Sequence, residues 1–358
     1  MGSSKLLLFT DYHISSKGRR TLRRLDECVK TSKWIAANVK EHKPDIVVNL
    51  GDTFDSHSTI DVPSLCTGVR VMETIMDACN DVSADFIIIP GNHDAYSRDY
   101  SSLEAFQGIG ATVVWEPTVI AGILGAIPFN KNAEMVTEWL HELEKKSLLT
   151  VAHVDVKHAN YFSGGPNSDI GVDAEAFRGP IYCGHYHHPH TLGAFEFIGS
   201  VMHHNFSDKE LPDTPRGLVV IEIGEDGVVT SSKRIPNPHT AIYHKMDWSK
   251  KKEKLRTIKL YGSYEDRMYL RVKCDYKDVK QVRSDLREMF PKLLACTVVG
   301  INYDTQEVTR EATIKIDTDP GEALTAYIKN KGVPKDLDEA VLLEMGKRFL
   351  VNVTEGMG

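Results

Sequence analysis

The sequence predicts an α/β fold in which buried, largely parallel strands alternate with helices. Short Val, Ile and Leu runs recur through the first half of the 358-residue chain, and segments with helical hydrophobic spacing separate them. Five of these runs lead within two residues into Asp, Asn or His. Because such intervals favour right-handed parallel units, the polar residues are expected to meet at one edge, where α/β proteins bind ligands.

The predicted elements can be placed in chain order. Strands are expected at 5–9, 45–50, 85–90, 148–152 and 181–183, and amphipathic helices at 15–41, 58–80 and 134–146. Further strands are expected within 192–202 and within 217–235, where Gly224-Glu225-Asp226-Gly227 indicates a hairpin turn. A small strand–helix–strand unit (268–274, 276–289 and 294–301) and a pair of helices within 319–351 complete the prediction.

Composition places the chain among ordinary globular proteins. Hydrophobic residues make up 41% and charged residues 26%, which argues against disordered and fibrous classes. No apolar run approaches the roughly 20 residues that span a bilayer, and no signal peptide is recognised. The six scattered cysteines form no C-x-x-C pair, so a cytoplasmic protein with reduced thiols is expected. The net charge of −7 argues against a generally basic nucleic-acid binder, but local basic patches remain open.

The polar residues at the strand ends form a candidate metal site. Its members are Asp11, His13, Asp52, Asn92, His153, His185 and His187. Mixed carboxylate, imidazole and amide donors suit Mn²⁺, Fe²⁺ or Zn²⁺ better than Ca²⁺. Seven donors are too many for one ion but suit two ions bridged by a carboxylate, an arrangement that activates water and holds a phosphate. A single Asp-x-His is usually a turn, whereas five such motifs in order rarely arise by chance.

Residues beside these ligands have expected roles of their own. His93 follows the ligand Asn92, so it is available to protonate a leaving oxygen or to stabilise a charged transition state. Asp94 is expected to hold the His93 ring in one tautomer, and Asp55 to support the ligands from behind. The other histidines near the motifs are predicted to be ordinary loop residues: His57, His158, His188, His190, His203 and His204.

A basic cluster opens the first predicted helix. Arg19, Arg20, Arg23 and Arg24 lie close in sequence to the first metal motif. One interpretation is a solvated basic face of a helix. The other is a DNA-binding track for a phosphate backbone beside the active site. Both interpretations stay open at the level of the sequence.

The five motifs resemble those of the calcineurin-like metallophosphoesterases. The matching segments are Asp11-Tyr12-His13, Gly51-Asp52-Thr53-Phe54-Asp55, Gly91-Asn92-His93-Asp94, Ala152-His153 and Gly184-His185-Tyr186-His187. The resemblance implies a four-layer α/β/β/α sandwich. It also implies that Asp11, His13, Asp52 and His187 hold one ion, that Asp52, Asn92, His153 and His185 hold the other, and that His93 acts on the transition state.

Within that family the sequence is similar to the Mre11/SbcD nucleases, particularly the bacteriophage recombination subunits. Ser56 stands where Ser/Thr phosphatases carry an arginine, and Phe197-Ile198-Gly199-Ser200 resembles a Tyr-x-Gly-Ser segment of these nucleases. The small α/β unit and the C-terminal helical hairpin match the layout of their later domains. By this resemblance residues 1–240 form the nuclease domain, 241–310 a DNA-contacting capping domain and 311–358 the helices that bind an ATPase.

The resemblance also implies an activity and partners. We expect a nuclease of double-strand break repair and recombination, acting as a 3′–5′ exonuclease on duplex DNA and an endonuclease on single strands. Two divalent ions are implied, Mn²⁺ first, with Mg²⁺, Fe²⁺ or Zn²⁺ as alternatives. A Rad50/SbcC-type ATPase, a second copy of the chain and a bacterial or phage-infected cytoplasm complete the expectation. The alternatives are a small-substrate phosphodiesterase or phosphatase using the same site, and a scaffold with a vestigial site.

Overall fold

Three β-sheets and five helices make up the described part of the first 300 residues. The computed structural model describes residues 3–16, 21–56, 58–94, 101–160, 167–208, 215–250, 267–292, 295–301, 341, 343 and 344. The chain divides into two compact units, residues 1–300 and residues 301–358. Within the described helices, none combines the length and the apolar character that crossing a membrane requires.

The strands and helices are bounded as follows. The strands are β1 (Ser4–Phe9), β2 (Ile46–Asn49), β3 (Asp85–Ile88), β4 (Thr112–Val113), β5 (Thr118–Ile120), β6 (Leu124–Ile127), β7 (Leu149–Ala152), β8 (Ile181–Cys183), β9 (His190–Leu192), β10 (Phe195–Phe197), β11 (Gly217–Ile223), β12 (Val229–Pro236), β13 (Ile242–Asp247), β14 (Met268–Asp275) and β15 (Ala295–Ile301). The helices are α1 (Thr21–His42), α2 (Val62–Val82), α3 (Glu104–Gln107), α4 (Ala133–Leu143) and α5 (Val279–Met289).

The two large sheets stack between layers of helices. The first has the order β12-β11-β1-β2-β3-β4 and the second β5-β6-β7-β8-β10-β9. Strands β1 to β4 are parallel to their neighbours, as are β6, β7 and β8, whereas the β11–β12 hairpin adds to β1 in antiparallel register. Parallel strands covered on both faces need continuous apolar runs, which explains the Val- and Ile-rich segments in the sequence.

Alternation along β1 shows how the layers are built. Leu7 and Phe9 pack in the core that contains residues of α1 and α2, whereas Leu6 and Leu8 pack in a second core with residues of the other sheet. A third core lies between α4 and the outer face of the second sheet. Because successive strand residues point to opposite faces, one strand serves two cores. The layers run α/β/β/α, which confirms the predicted sandwich.

A third sheet with the order β13-β14-β15 packs with α5 around a core of its own. The strand–helix–strand unit predicted over 268–301 is present, and β13, which pairs in parallel with β14, adds a strand that the sequence did not predict. The domain limits near residues 240 and 310 stay predictions. The expected C-terminal helices lie outside the described residues, apart from three helical positions at 341, 343 and 344.

Two predicted helices begin later than the sequence indicated. Ser15 and Ser16 are not helical, and α1 starts at Thr21. Helix α2 starts at Val62 instead of Ser58, because the Asp61 carboxylate accepts a hydrogen bond from the Ser64 amide and Pro63 lies in the first turn. The strand expected over 192–202 is instead the short antiparallel pair β9 and β10, which turns at Gly193.

The buried carboxylate of Glu27 links α1 to the start of the third sheet and also pairs with Arg24 on the same helix. Glu27 is buried, its Oε1 accepts from the Ala241 amide at 2.7 Å, and its Oε2 lies 3.5 Å from Arg24 Nη1. We expect Glu27→Gln to lower the free energy of unfolding by about 1–3 kcal/mol, because a buried guanidinium loses its carboxylate. Urea unfolding of the full chain measures this change.

The matched control for this substitution is Asp26→Asn on the same helix. Asp26 forms an exposed pair with Lys30 at 2.7 Å, and exposed pairs of this spacing contribute only about 0.5 kcal/mol. Equal losses for the two variants would contradict the assignment of a structural role to the Glu27–Arg24 pair.

Candidate metal centre

The carboxyl ends of strands from both large sheets bring the seven predicted ligands together. Asp11 and His13 follow β1, Asp52 follows β2, Asn92 follows β3, His153 follows β7, and His185 and His187 follow β8. Asp11, His13, Asp52 and His153 are buried, and the other three are half-buried. These seven side chains thus lie at the strand ends, as the sequence predicts, and their roles as metal ligands stay predictions.

One group of donors surrounds His13. Its Nε2 lies 3.0 Å from His187 Nε2, 3.8 Å from Asp11 Oδ1 and 3.6 Å from Asp52 Oδ2. His187 Nε2 in turn lies 3.9 Å from Asp11 Oδ1. Two imidazole nitrogens and two carboxylate oxygens thus converge on one small volume, which is the donor set predicted for the first ion.

A second group of donors surrounds Asn92. The Asn92 Oδ1 atom lies 3.1 Å from His153 Nε2 and 2.9 Å from His185 Nδ1. His153 Nε2 also lies 3.5 Å from Asp52 Oδ2. Asp52 Oδ2 is therefore the atom shared by the two groups, and the other oxygen, Oδ1, accepts from the His93 amide at 2.8 Å. This is the geometry of a bridging carboxylate.

Unusual backbone conformations aim these side chains. Asp11, His13, Asp52 and His185 have φ values of 52°, 45°, 52° and 83°. Residues with a side chain rarely adopt this left-handed region, and they keep it only when the surroundings compensate for the strain. Four predicted ligands sharing this conformation indicate that the strand ends are shaped for ligand geometry.

Two glycines let the ligand loops approach each other. A Cβ atom at Gly91 would overlap the Asp52 carboxylate and its backbone nitrogen, and one at Gly51, where φ is +107°, would overlap the His153 ring. The absence of a side chain at each position is required by the close approach of β2, β3 and β7 at their ends. The Gly-Asp and Gly-Asn-His-Asp motifs thus include their glycines for steric reasons.

Hydrogen-bond acceptors behind the rings orient the second group of histidines. His153 Nδ1 donates to the Leu50 carbonyl at 2.6 Å, and His185 Nε2 donates to Asp155 Oδ1 at 2.8 Å. A neutral imidazole with its proton on the outer nitrogen presents a lone pair on the inner one. In both residues the inner nitrogen is the one that faces Asn92.

Carboxylates lie behind the first group in the same way. Asp208 Oδ1 is 3.7 Å from His187 Nδ1, and Asp55 Oδ1 is 3.6 Å from His13 Nδ1. Asp55 therefore occupies the supporting position predicted for it. Asp155 and Asp208 were missed by the sequence argument, although Asp155 follows His153 at the same two-residue spacing that relates Asp11 to His13 and His185 to His187.

The electrostatics of the centre favour bound cations. Burial alone would raise the pKa of Asp52, but the His153 ring beside it holds that pKa well below its usual value. Burial opposes protonation of His153, yet the neighbouring Asp52 raises the pKa of His153 to about 9. Asp11 Oδ1 is buried without a hydrogen-bond partner among the described residues. A buried carboxylate oxygen and converging lone pairs fit divalent metal ions.

The structure places His93 beside the centre but corrects the role of Asp94. The His93 and His13 ring centroids are 4.8 Å apart, and His93 Nδ1 contacts the Asp55 carbonyl at 2.9 Å. Within the described part of the chain, the Asp94 carboxylate accepts from the Thr53, Phe54 and Gly91 amides and does not contact the His93 ring. Both oxygens of Asp94 are therefore used in holding the loops after β2 and β3 together.

The predicted DNA-binding arginines divide into three cases. Arg19 and Arg20 lie outside the described residues, and Arg23 is exposed on α1, so its DNA contact stays a prediction. For Arg24 the structure shows contacts within the chain, and its DNA contact also stays a prediction. Its guanidinium donates to the His203 carbonyl at 2.8 Å and to the Tyr12 carbonyl at 3.3 Å, and it pairs with Glu27. Tertiary packing leaves this side chain half-buried beside the first group of donors.

The fold and this centre define a metal-dependent phosphoesterase. The chain belongs to the calcineurin-like phosphoesterase family, which it matches over residues 4–189. No curated protein gives a significant match to the sequence. Among solved structures the chain is similar to a dimetal phosphatase from Danio rerio, with 12% identity over 66% of this chain and 98% of that one and a TM-score of 0.39. It is also similar to the purple acid phosphatase PPD1 from yellow lupin (Lupinus luteus), with 12% identity, 64% and 53% coverage and a TM-score of 0.35.

The Asp155–His185 contact generates a test of the metal centre. In Asp155→Asn the amide can present an N–H to His185 Nε2, which moves the ring proton to Nδ1 and removes the lone pair from the centre. We expect the affinity for Mn²⁺ to fall about 10–100-fold, as measured by calorimetric titration of metal-free protein. Asp169→Asn, at an exposed position of the neighbouring loop, is the control. Unchanged Mn²⁺ affinity in Asp155→Asn would show that His185 does not bind metal through Nδ1.

Proposed function

We propose that this phosphoesterase is a Mn²⁺-dependent DNA nuclease, acting as a 3′–5′ exonuclease on duplex DNA and as an endonuclease on single strands. The observation that carries the proposal is the position of the third sheet, which attaches next to the metal centre through the segment after His187. A phosphatase that acts on a small molecule does not need a further sheet beside its metal centre. A polymer substrate has to be held on both sides of the bond that is cleaved.

The attachment runs through a short segment that begins near the metal ligands. The His203 amide donates to Thr240 Oγ1 at 2.7 Å, and His203 Nδ1 lies 3.0 Å from the Ala241 carbonyl, directly before β13. Asp208, which supports His187, belongs to the same segment. The third sheet and the centre are therefore linked within a few residues.

Aromatic and cationic side chains cover this junction. Phe206 packs edge-on against Tyr243 with ring centroids 5.3 Å apart, Tyr243 stacks on Tyr269 at 4.8 Å, and the Arg271 guanidinium lies 4.3 Å from the Phe206 centroid. Arg271 is exposed, and Phe206 and Tyr243 are half-buried. Aromatic faces beside arginine are the surfaces on which nucleic-acid bases stack and phosphates bind. This surface supports a nucleic-acid substrate despite the overall negative charge of the chain.

The residues of the centre have distinct tasks in such a reaction. Asp11, His13, Asp52 and His187 would hold one ion and Asp52, Asn92, His153 and His185 the other. Bound there, two divalent ions would stabilise the negative charge on the phosphoryl oxygens and lower the pKa of the attacking water. His93 would protonate the leaving oxygen or stabilise the transition state, because its ring is held by the Asp55 carbonyl and faces the His13 side of the centre.

The proposal includes the partners that the resemblance implies. A Rad50/SbcC-type ATPase would bind the C-terminal residues 311–358, a second copy of the chain would complete a homodimer, and the setting would be a cytoplasm in which DNA breaks are repaired. Mn²⁺ is the proposed metal because the donor set mixes imidazole, carboxylate and amide oxygen. Copurification with the ATPase and sedimentation of the isolated chain test these two contacts separately.

The first test is degradation of end-labelled duplex and single-stranded DNA with Mn²⁺. We expect the wild-type protein to cleave both, His93→Ala to lose about 10²–10⁴-fold in rate while keeping its metals, and Asp52→Ala to lose cleavage and metal binding together. His42→Ala, at the opposite end of α1, serves as the histidine control. Protein that leaves DNA intact, alone and with the ATPase, but hydrolyses an aryl phosphodiester would establish the small-substrate alternative.

The junction surface gives a second test. Removing the exposed cation in Arg271→Ala should raise KM for single-stranded DNA about fivefold, because the loss of one stacking or cation–π contact costs about 1 kcal/mol. Hydrolysis of an aryl phosphodiester should not change, since such a substrate does not reach the third sheet. Arg287→Ala, at an exposed position of α5 in the same unit, is the matched control. Equal effects on the two substrates would argue against a DNA-binding role for this surface.

A further inference from the structure

A fifth histidine, His204, lies against the first group of metal donors. Its ring centroid is 4.8 Å from that of His13 and 4.6 Å from that of His187, and both contacts are edge-on. One nitrogen of each of the three rings lies within 4.8 Å of those of the other two. Position alone would make His204 an additional metal ligand. The group behind its ring argues for a different role.

An arginine, not an acceptor, stands behind His204. Arg24 Nη2 lies 2.5 Å from His204 Nδ1. A guanidinium has only N–H donors and stays charged, so Nδ1 must accept, and the ring proton of a neutral His204 must be on Nε2. A second proton on Nδ1 would place an N–H against an N–H and a cation against a cation. The contact therefore selects one neutral tautomer.

The other histidines of the centre show the opposite arrangement. Leu50 and Asp155 supply hydrogen-bond acceptors behind His153 and His185, and the carboxylates of Asp208 and Asp55 lie 3.7 and 3.6 Å behind His187 and His13. An acceptor behind the ring leaves a lone pair on the inner nitrogen, as metal binding requires, whereas the donor behind His204 leaves an N–H. His204 is thus unable to bind a metal through Nε2 while Arg24 holds Nδ1.

Several contacts hold the Arg24 guanidinium in place. Besides the contact with His204, the guanidinium donates to the carbonyls of Tyr12 and His203 and pairs with Glu27. Within the described part of the chain, His204 Nε2 is shielded from solvent and has no hydrogen-bond partner. Buried polar atoms nearly always have a partner. An N–H that is held in place and unpaired next to a phosphoesterase centre calls for an oxygen from a ligand.

We propose that His204 is a hydrogen-bond donor to the substrate, contacting a non-bridging phosphate oxygen through Nε2–H on the His13 side of the centre. His93 and His204 each lie 4.8 Å from the His13 ring, so that the phosphate would be contacted by two different imidazoles. The contact of Arg24 with Nδ1 leaves the N–H on Nε2 before a substrate binds, and a donor fixed in advance is worth most where charge develops in the transition state. This inference rests on phosphoester hydrolysis at this centre and not on DNA being the substrate.

The tautomer can be read directly by nuclear magnetic resonance. Protein labelled with ¹⁵N in the histidine rings, metal-free and then with diamagnetic Zn²⁺, should show His204 as neutral with its proton on Nε2 in both states. The signal is assigned by its disappearance in His204→Asn. A proton on Nδ1, on both nitrogens, or a shift of Nε2 to a metal-bound value would overturn the proposal, whatever substrate the protein cleaves.

Two substitutions separate a donor from a ligand. In His204→Asn the amide oxygen still accepts from Arg24, but the donor at the Nε2 position is lost; in His204→Gln the amide nitrogen can take the place of Nε2–H. With an aryl phosphodiester as substrate, we expect His204→Asn to lose about 10²-fold in kcat with little change in KM, and His204→Gln to recover part of that loss. Both variants should bind Mn²⁺ with the wild-type stoichiometry and affinity.

His203→Asn is the matched control, because His203 is the adjacent buried histidine and its ring faces Ala241, where an asparagine amide can replace its contact. Loss of one bound Mn²⁺ in His204→Asn would identify His204 as a metal ligand. An unchanged kcat in this variant would show that His204 does not contact the substrate. Either result would contradict the proposal. Because the readouts use an aryl phosphodiester, the metal and the ring nitrogens, a protein that fails to cleave DNA would refute the nuclease proposal and leave this one standing.

Discussion

The Asp52 carboxylate lies between the strand ends of the two large sheets, and the centre is arranged around it. Its Oδ2 is 3.6 Å from His13 and 3.5 Å from His153, and its Oδ1 accepts from the His93 amide. This position is open only because Gly91 has no side chain that would occupy it. Close approach of the loops, a left-handed backbone at Asp52 and a buried negative charge are therefore parts of one constraint, and cations relieve its electrostatic cost.

The layered fold provides the rigidity that this constraint needs. Strands β1, β2 and β3 are covered by α1 and α2 on one side and by the second sheet on the other. Residues in sparsely populated backbone regions persist only where the surroundings over-determine them. Asp94 contributes by accepting from three amides of the β2 and β3 loops. The side chains that hold the loops in place are therefore as closely constrained in position as the predicted metal ligands.

The strands and the positions of the seven donors could be predicted because they depend on local pattern, whereas the four-layer sandwich was implied by the family resemblance of the motifs. A strand end and the residues after it are neighbours in the chain, and parallel pairing brings such ends to one edge. The supporting groups depend on distant contacts instead. His204 and Arg24 are 180 residues apart, so their contact could not be predicted from spacing. Helix starts were missed where a cap such as Asp61, and not hydrophobic periodicity, determines the first turn.

The segment from Gly199 to Asp208 has a further consequence. It holds His204 against the centre, His203 against the third sheet, Phe206 against Tyr243 and Asp208 against His187. One short stretch of chain therefore contacts both the candidate metal centre and the third sheet. A small insertion or deletion in this stretch would displace the ring beside the predicted ligands and the junction with the third sheet together.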